Sequence, residues 1–301
     1  MKRVLVLKGG GVRGLIQLDG LRVLEKYYGK KICEIFDLIV GTSVGALTGG
    51  ILATGKYTMN QFMDIFIKYI PFLFKTFWWR KMFGALYSRK YFYAMWDRLF
   101  DYAVHMRDCK TRFLCTAVNI CDFKTHFFKS WEKKDGKEKL QFQIAKSFAA
   151  PHYFGHLIDY KNQSVWVDGG MGESNTPIDI AFAEIFDLGW TQEHVEMTVI
   201  GTGSCDLSIP FEHAKKDGQI MQLYRFMQPK EGGLARIQST INKVSRMEII
   251  ANSNPLFDFK YYNVDIGPEF DGIDKLRYIN EYLAFGRVIG EKIQRDLNIF
   301  H

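Results

Sequence analysis

Short apolar runs and helically spaced apolar positions alternate along the first part of the chain. Arg3–Leu7 and Phe36–Val40 are runs of strand length. Between them Leu15, Leu18, Leu21, Val23, Leu24, Tyr27 and Tyr28 recur at close to helical spacing, and Gly29 closes that helix. Strand, loop, helix and strand in this order make a βαβ unit and predict a parallel sheet. The pattern then predicts a helix over Ala46–Gly55 and two strands, Arg112–Ile120 and Phe123–Phe128, joined by a tight turn. The second of these alternates with period two, as a sheet edge with one wet face does. Further predictions are a helix over Leu140–Ala150, limited by Pro151, a strand over Ser164–Val167, and a helix over Pro177–Leu188 with proline at its start. Met197–Ile200 reads as another strand. The tail reads as helices over Gly233–Ile250 and Ile273–Leu297, with a strand-like Phe259–Ile266 between them.

Phe62–Trp79 breaks the pattern with eight aromatic residues and Pro71, followed by Arg80, Lys81, Arg89 and Lys90. Its charges and its proline argue against a membrane span. Two readings stand: a helical insertion that buries its aromatics, or an interfacial element whose aromatics and cations meet lipid headgroups.

Composition narrows the class. The chain has 301 residues, 47% of them hydrophobic and 24% charged, without low-complexity tracts, a Pro/Ser-rich linker or a fixed-period repeat. One α/β domain is expected, with residues 1–205 as its core and 206–301 as a mostly helical C-terminal extension packed on it. The net charge of +7 favours anionic partners such as acidic membrane surfaces. No dense Lys/Arg block is present, so nucleic acid is not expected as a partner. Cys33, Cys109, Cys115, Cys121 and Cys205 form no C-x-x-C pair and no metal-ligand spacing with histidine, which fits reduced thiols in a cytoplasmic setting. The apolar core of Met1–Lys8 is too short for a signal peptide and reads as the first strand. No metal or cofactor is expected.

The candidate chemistry follows the predicted strands. Gly41-Thr42-Ser43-Val44-Gly45 ends the second strand and opens a helix, so Ser43 would stand in a strained corner above the sheet, beside free amides and the positive end of a helix dipole. Gly9-Gly10-Gly11-Val12-Arg13-Gly14 follows the first strand, and Asp168-Gly169-Gly170 follows the strand Ser164–Val167. Loops at the carboxyl ends of parallel strands share one edge, where sites form. A serine nucleophile needs a base, for which Asp168 is the candidate, and oxyanion donors, for which the amides of Gly10 and Gly11 are candidates. Arg13 reads as a brace for the glycine loop, as a contact for an anionic headgroup, or as an exposed helix-start residue.

These motifs, in this order, resemble those of patatin-like phospholipases. Ser147-Phe148-Ala149-Ala150-Pro151-His152-Tyr153-Phe154 is similar to that family's Ala-Ala-Pro segment, and Val199–Gly203 to its late Gly-Thr-Gly strand end. Lys8 departs from the acidic residue that many members carry before the glycines. The resemblance implies a three-layer α/β/α fold with a mostly parallel sheet, and a lipid acyl hydrolase acting on membrane phospholipids through an acyl-enzyme. It assigns Ser43 as nucleophile, Asp168 as base with Gly169 and Gly170 in its loop, and Gly41 and Gly45 as the nucleophile elbow. Gly9, Gly10, Gly11, Arg13 and Gly14 form the oxyanion loop. It also implies peripheral membrane association, and it allows control by a small messenger or a partner protein.

Three alternatives remain open on the sequence. The same acyl-enzyme serves an acyltransferase. Gly9-x-Gly11-x-x-Gly14 fits a dinucleotide-binding loop, but Asp37 stands at the start of the second strand and not at its end, where a ribose contact is needed. A full triad would draw on His194 or His213, which follow Asp168 in the chain, whereas His152 beside Pro151 reads as a packing or surface residue.

Overall fold

The computed structural model describes residues 1–75, 85–100, 104–172, 174–205, 215 and 233–299. Its centre is an eight-stranded mixed sheet, built from β1 (Lys2–Leu7), β2 (Leu38–Gly41), β3 (Arg112–Asn119), β4 (Lys124–Lys129), β5 (Leu157–Asp159), β6 (Ser164–Asp168), β7 (Val195–Ile200) and β8 (Phe257–Tyr262). The order is β5-β6-β3-β2-β1-β7-β8, with β4 paired to β3. β3, β2, β1, β7 and β8 run parallel, and their apolar residues point to both faces, as a sheet covered on both sides requires.

One face carries Leu5, Leu7, Ile39 and Phe113 under α1 (Leu15–Tyr28), α2 (Ile32–Ile35), α3 (Val44–Ala53), α4 (Met59–Leu73), α5 (Arg89–Leu99), α6 (Leu140–Ser147) and α9 (Ile279–Ile299). The other carries Val4, Val6, Leu38, Val40 and Leu114 against α7 (Ile178–Asp187) and Met247 of α8 (Gly233–Ser253). The C-terminal third therefore adds an edge strand, β8, to the sheet. It also adds α9 beside α1, where Ile289 and Ile293 reach Gly20.

In the described part of the aromatic stretch one face of the helix is core, while Phe72 is exposed. Phe62, Phe66, Ile70 and Leu73 share the buried face of α4, capped at its start by Thr58. Phe77, Trp78, Trp79, Arg80 and Lys81 lie outside the described residues. The C-terminal helix begins at Ile279 and not at Ile273, because the chain before it is tied elsewhere: the Ile273 carbonyl accepts from the Val12 amide at 2.8 Å. The helix ahead of Pro151 stops at Ser147, and α5 and β5 are elements that the pattern left unassigned.

A buried ion pair joins α6 to the hairpin of β5 and β6. Lys146 Nζ lies 3.2 Å from Asp159 Oδ2, with the rings of Phe128, Phe142 and Trp166 around the ammonium at 4.6–4.9 Å. Burial lowers the Lys146 pKa, with Asp159 opposing the shift. Removing one partner leaves an uncompensated buried charge. Asp159→Asn is expected to cost about 3 kcal/mol of unfolding free energy by urea denaturation. In that variant the native state holds the Lys146 proton less tightly than the unfolded chain does. Its deficit should therefore shrink as pH rises towards the ordinary lysine range, about 10.4. A deficit independent of pH would contradict the argument.

Candidate active site

Strand register brings the candidate groups together. Gly41 of β2 pairs with Cys115 of β3, its last ladder partner before the turn to Ser43, and Ala117, two residues on along β3, pairs with Asp168 of β6. β4 occupies one edge of β3 from Leu114 to Asn119. The opposite edge serves β2 as far as Cys115 and then β6 from Ala117 to Asn119. β6 thus stands end to end above β2 and runs antiparallel to β3, so that its last residue meets the turn that leaves β2. This corrects the expectation that Asp168 ends a strand parallel to the others. It reaches the site from the opposite direction.

Ser43 has φ 56° and ψ −124°, outside the regions that L-residues favour, directly before α3. Its amide donates to Ser147 Oγ at 3.1 Å, and the Thr42 hydroxyl donates to the Ser174 carbonyl at 2.6 Å. Asp168 is 5% exposed; its amide donates to the Ala149 carbonyl at 3.0 Å, and its Oδ1 accepts from the Gly170 amide at 2.7 Å. The segment Ser147–Ala149 therefore holds the backbones of both Ser43 and Asp168. That is a physical role for a stretch that the sequence marked by resemblance alone.

In the glycine loop, the Gly9 amide donates to the Asn175 carbonyl, the Val12 amide to Ile273 and the Arg13 amide to Gly10. Among the described residues the amides of Gly10 and Gly11 have no acceptor, which leaves them to bind a ligand oxygen. Thr202 Oγ1 donates to the Gly9 carbonyl at 2.8 Å, so the late Gly-Thr-Gly turn props the loop. Gly11 has φ +59°, and a methyl group there would collide with the Ile273 carbonyl. The C-terminal segment thus lies over the loop.

Arg13 is neither exposed nor offered to a headgroup. It is 2% exposed, and its Nη1 lies 3.0 Å from Asp271 Oδ1. Gly14 opens onto Val44 and Gly45 onto the Leu7 carbonyl, so both serve close packing of the loop, β1 and α3. Gly169 crosses directly over Thr116. Lys8 is buried, and its carbonyl accepts from the Gln17 carboxamide, which also bonds Ile200.

Asn175 is a residue that the sequence reading missed. Its Oδ1 sits where a side chain on Gly9 or Gly170 would begin, and Ser43 Cβ lies 3.2 Å from that same Gly9 position. The carboxamide thus stands between the glycine loop, the nucleophile and the Asp168 turn. The signal available was the polar pair Ser174-Asn175 shortly after Asp168-Gly169-Gly170.

His194 precedes β7 at the sheet edge away from Ser43 and lies 3.2 Å from Asp258, which removes it from a triad. His213 lies outside the described residues. His126, on β4, lies 2.8 Å from Asp122 and packs on Trp166. Among the described residues no group of three or more His, Cys, Asp or Glu is placed to hold a metal ion, and no helix is long and apolar enough to cross a membrane.

Comparison with known proteins gives a family. The family model of patatin-like phospholipases matches residues 5–182, which hold all three glycine-marked loops. The chain is 30% identical over 206 residues to a cGAMP-activated phospholipase of Vibrio cholerae serotype O1, over 61% of this chain and 58% of that one. It is 28% identical over 228 residues to a cGAMP-activated phospholipase of Escherichia coli, over 69% and 64% of the two chains. A shorter match, 36% over 69 residues, joins it to a cUMP-AMP-activated phospholipase of Escherichia coli, over 23% and 21%. The chain thus spans about three fifths of the length of the first two relatives.

The backbone at Ser43 yields a test. Ser43→Gly should relax the turn and raise the unfolding free energy by about 1 kcal/mol, whereas Ser43→Ala, which keeps the Cβ, should change it by less than about 0.5 kcal/mol. Equal stabilities of the two variants in urea would mean that the turn carries no strain.

Proposed function

This chain belongs to the patatin-like phospholipase family, and we propose that it hydrolyses fatty-acyl esters of membrane phospholipids with Ser43 as nucleophile and Asp168 as base. The observation that supports this reading is that Ser147 and Ala149 hold the amides of Ser43 and Asp168 and that Asn175 Oδ1 lies against both the glycine loop beside Ser43 and the Asp168 turn, near two loop amides with no acceptor among the described residues. Ser43 Oγ attacks the ester carbonyl while its proton passes to the Asp168 carboxylate. The oxyanion forms against the amides of Gly10 and Gly11. Collapse breaks the bond to the glycerol oxygen, which takes the proton from Asp168 and leaves as lysolipid. Water then attacks the acyl-enzyme, again giving its proton to Asp168; collapse breaks the bond to Ser43 Oγ, which takes that proton back, and frees the fatty acid.

We further propose that activity is switched on by a cyclic dinucleotide. The names of the relatives support a messenger of this class. The closed state of the site supports a need for one: Ser43 is 9% exposed, and Ile273 covers the glycine loop. An acyltransferase would share the first half of this reaction, and added glycerol or lysolipid separates the two by whether acylated acceptor forms.

The test is fatty-acid release from mixed phospholipid vesicles with and without added cGAMP. Wild type is expected to release fatty acid, at least about tenfold faster with the messenger. Ser43→Ala and Asp168→Asn should each lose on the order of 10³-fold or more. Undiminished release by Ser43→Ala would refute the assignment of the nucleophile. Release indifferent to cyclic dinucleotides would refute the switch alone.

A further inference from the structure

We propose that the β3–β4 and β5–β6 hairpins form the face that docks on an anionic phospholipid bilayer, a reading that rests on the phospholipase activity proposed above. β3 and β6 continue past the level of Ser43. Trp166 pairs with Asn119, so Ser164 and the turn before it stand level with the β3–β4 turn, residues 120–123. At about 3.3 Å per residue the two tips rise side by side roughly 10 Å above the site.

Each tip carries an aromatic residue in solvent: Phe123 is 88% exposed and Tyr160 83%. Phe123 also has φ 54°, a turn conformation that suits Gly or Asn and that a bulky side chain seldom adopts. No packing compensates the strain in the isolated protein. Insertion of the ring among acyl chains and glycerol esters would do so.

Below the tips, one side of the two hairpins is apolar and partly open. Val118 lies opposite Val167, and Ile158 opposite Val165, on the side that also carries Phe127; Ile158 and Phe127 are exposed. Among the described residues, the core cluster beneath α7 and α8 reaches β3 only at Leu114, short of this surface. Gly172 lies against Val118 and Thr125, and Met171 beside it is half exposed, so the apolar strip runs down to the loop that carries Asp168.

The charges select the occupant. Lys124 and Lys161 follow the two tip aromatics directly and are exposed, as aromatic and cationic side chains are paired at membrane surfaces. The acidic groups nearby are engaged: Asp122 with His126 and the Lys124 amide, and Glu138 with Lys161 at 3.9 Å. A net charge of +7 adds long-range attraction to anionic lipid.

The experiment uses the full chain and the double variant Phe123→Ser/Tyr160→Ser. With cGAMP present throughout, it measures co-sedimentation with vesicles of phosphatidylglycerol and phosphatidylcholine, fatty-acid release from the same vesicles, and hydrolysis of soluble p-nitrophenyl butyrate. The variant is expected to bind these vesicles and release fatty acid at least about tenfold less well, with unchanged butyrate turnover and thermal midpoint. Repeating the binding assay in a Ser43→Ala background separates docking from chemistry. If that background binds through the tips but no version releases fatty acid, the docking face stands and the proposed reaction falls. Wild-type binding that the double variant matches would overturn the proposal. So would a wild type that ignores these vesicles, or a dimer in sedimentation velocity that the variant dissociates, since the face would then serve a second copy.

Discussion

The register of β3 is the constraint on which the rest of the site depends. One edge of this strand is shared end to end by β2 and β6, which approach from opposite directions. A one-residue slip in either pairing would turn every side chain of that strand to the other face. Both pairings are short, four residues with β2 and three with β6, so their own ladders fix the register weakly. The end of α6 adds what they lack. Ser147 takes the Ser43 amide and Ala149 the Asp168 amide, while Lys146, in the same turn, is paired with Asp159 on the neighbouring hairpin. Three anchors within four residues at the end of one helix are more specific than three more ladder bonds, because each recognises a different element.

The same logic explains why the C-terminal third, outside the family match, still bears on the site. Arg13 is nearly fully buried, and a buried guanidinium is tolerable only with a carboxylate beside it, which Asp271 supplies from far along the chain. Ile273 then meets the loop at Val12 and Gly11, and Asp274 accepts from the Tyr87 hydroxyl at 2.9 Å. Burial and that hydrogen bond together push the Tyr87 pKa well above the usual phenol range. The segment 271–274 thus touches the loop and the aromatic group of Phe74, Tyr87, Tyr153 and Phe154 at once. Movement of this segment would be felt at the loop amides without any change in Ser43 itself.

Much of the parallel half of the sheet was legible in the sequence, because Arg3–Leu7, Phe36–Val40 and Met197–Ile200 are apolar runs bounded by glycine motifs and the helix after the first run has a clear stripe. The direction of β6 was not. Ser164–Asp168 looks the same whichever way it lies, and its orientation is decided by pairing with β3 and with β5, a three-residue strand too short to show a period. Ile273–Tyr278 reads as helix by local pattern, but contacts with the glycine loop hold it otherwise, a tertiary effect that overrides propensity. Asn175 escaped notice for a related reason: its significance comes from the two glycine turns that close around it, and nothing in its immediate neighbours announces that.

A carboxylate is a weak base towards a serine hydroxyl, since the ordinary Asp pKa is about 3.9. In a site that relies on one, stabilisation of the oxyanion must supply a large share of the rate, and in the mechanism proposed above that task falls to main-chain amides. Main-chain donors cannot be replaced by substitution, but their direction can be altered through whatever holds the loop. Those holders come from three separate parts of the chain: Thr202 on the Gly9 carbonyl, Asn175 on the Gly9 amide, and Ile273 on the Val12 amide. Thr202 lies two residues past the end of β7 and is fully buried, and Asn175 Oδ1 lies against the Gly170 position in the Asp168 turn. Ile273 belongs to a segment with no secondary structure of its own between Pro268–Phe270 and Leu276–Tyr278. Of the three it is the holder that can shift at least cost to the sheet, so control of the loop is most economically exerted there.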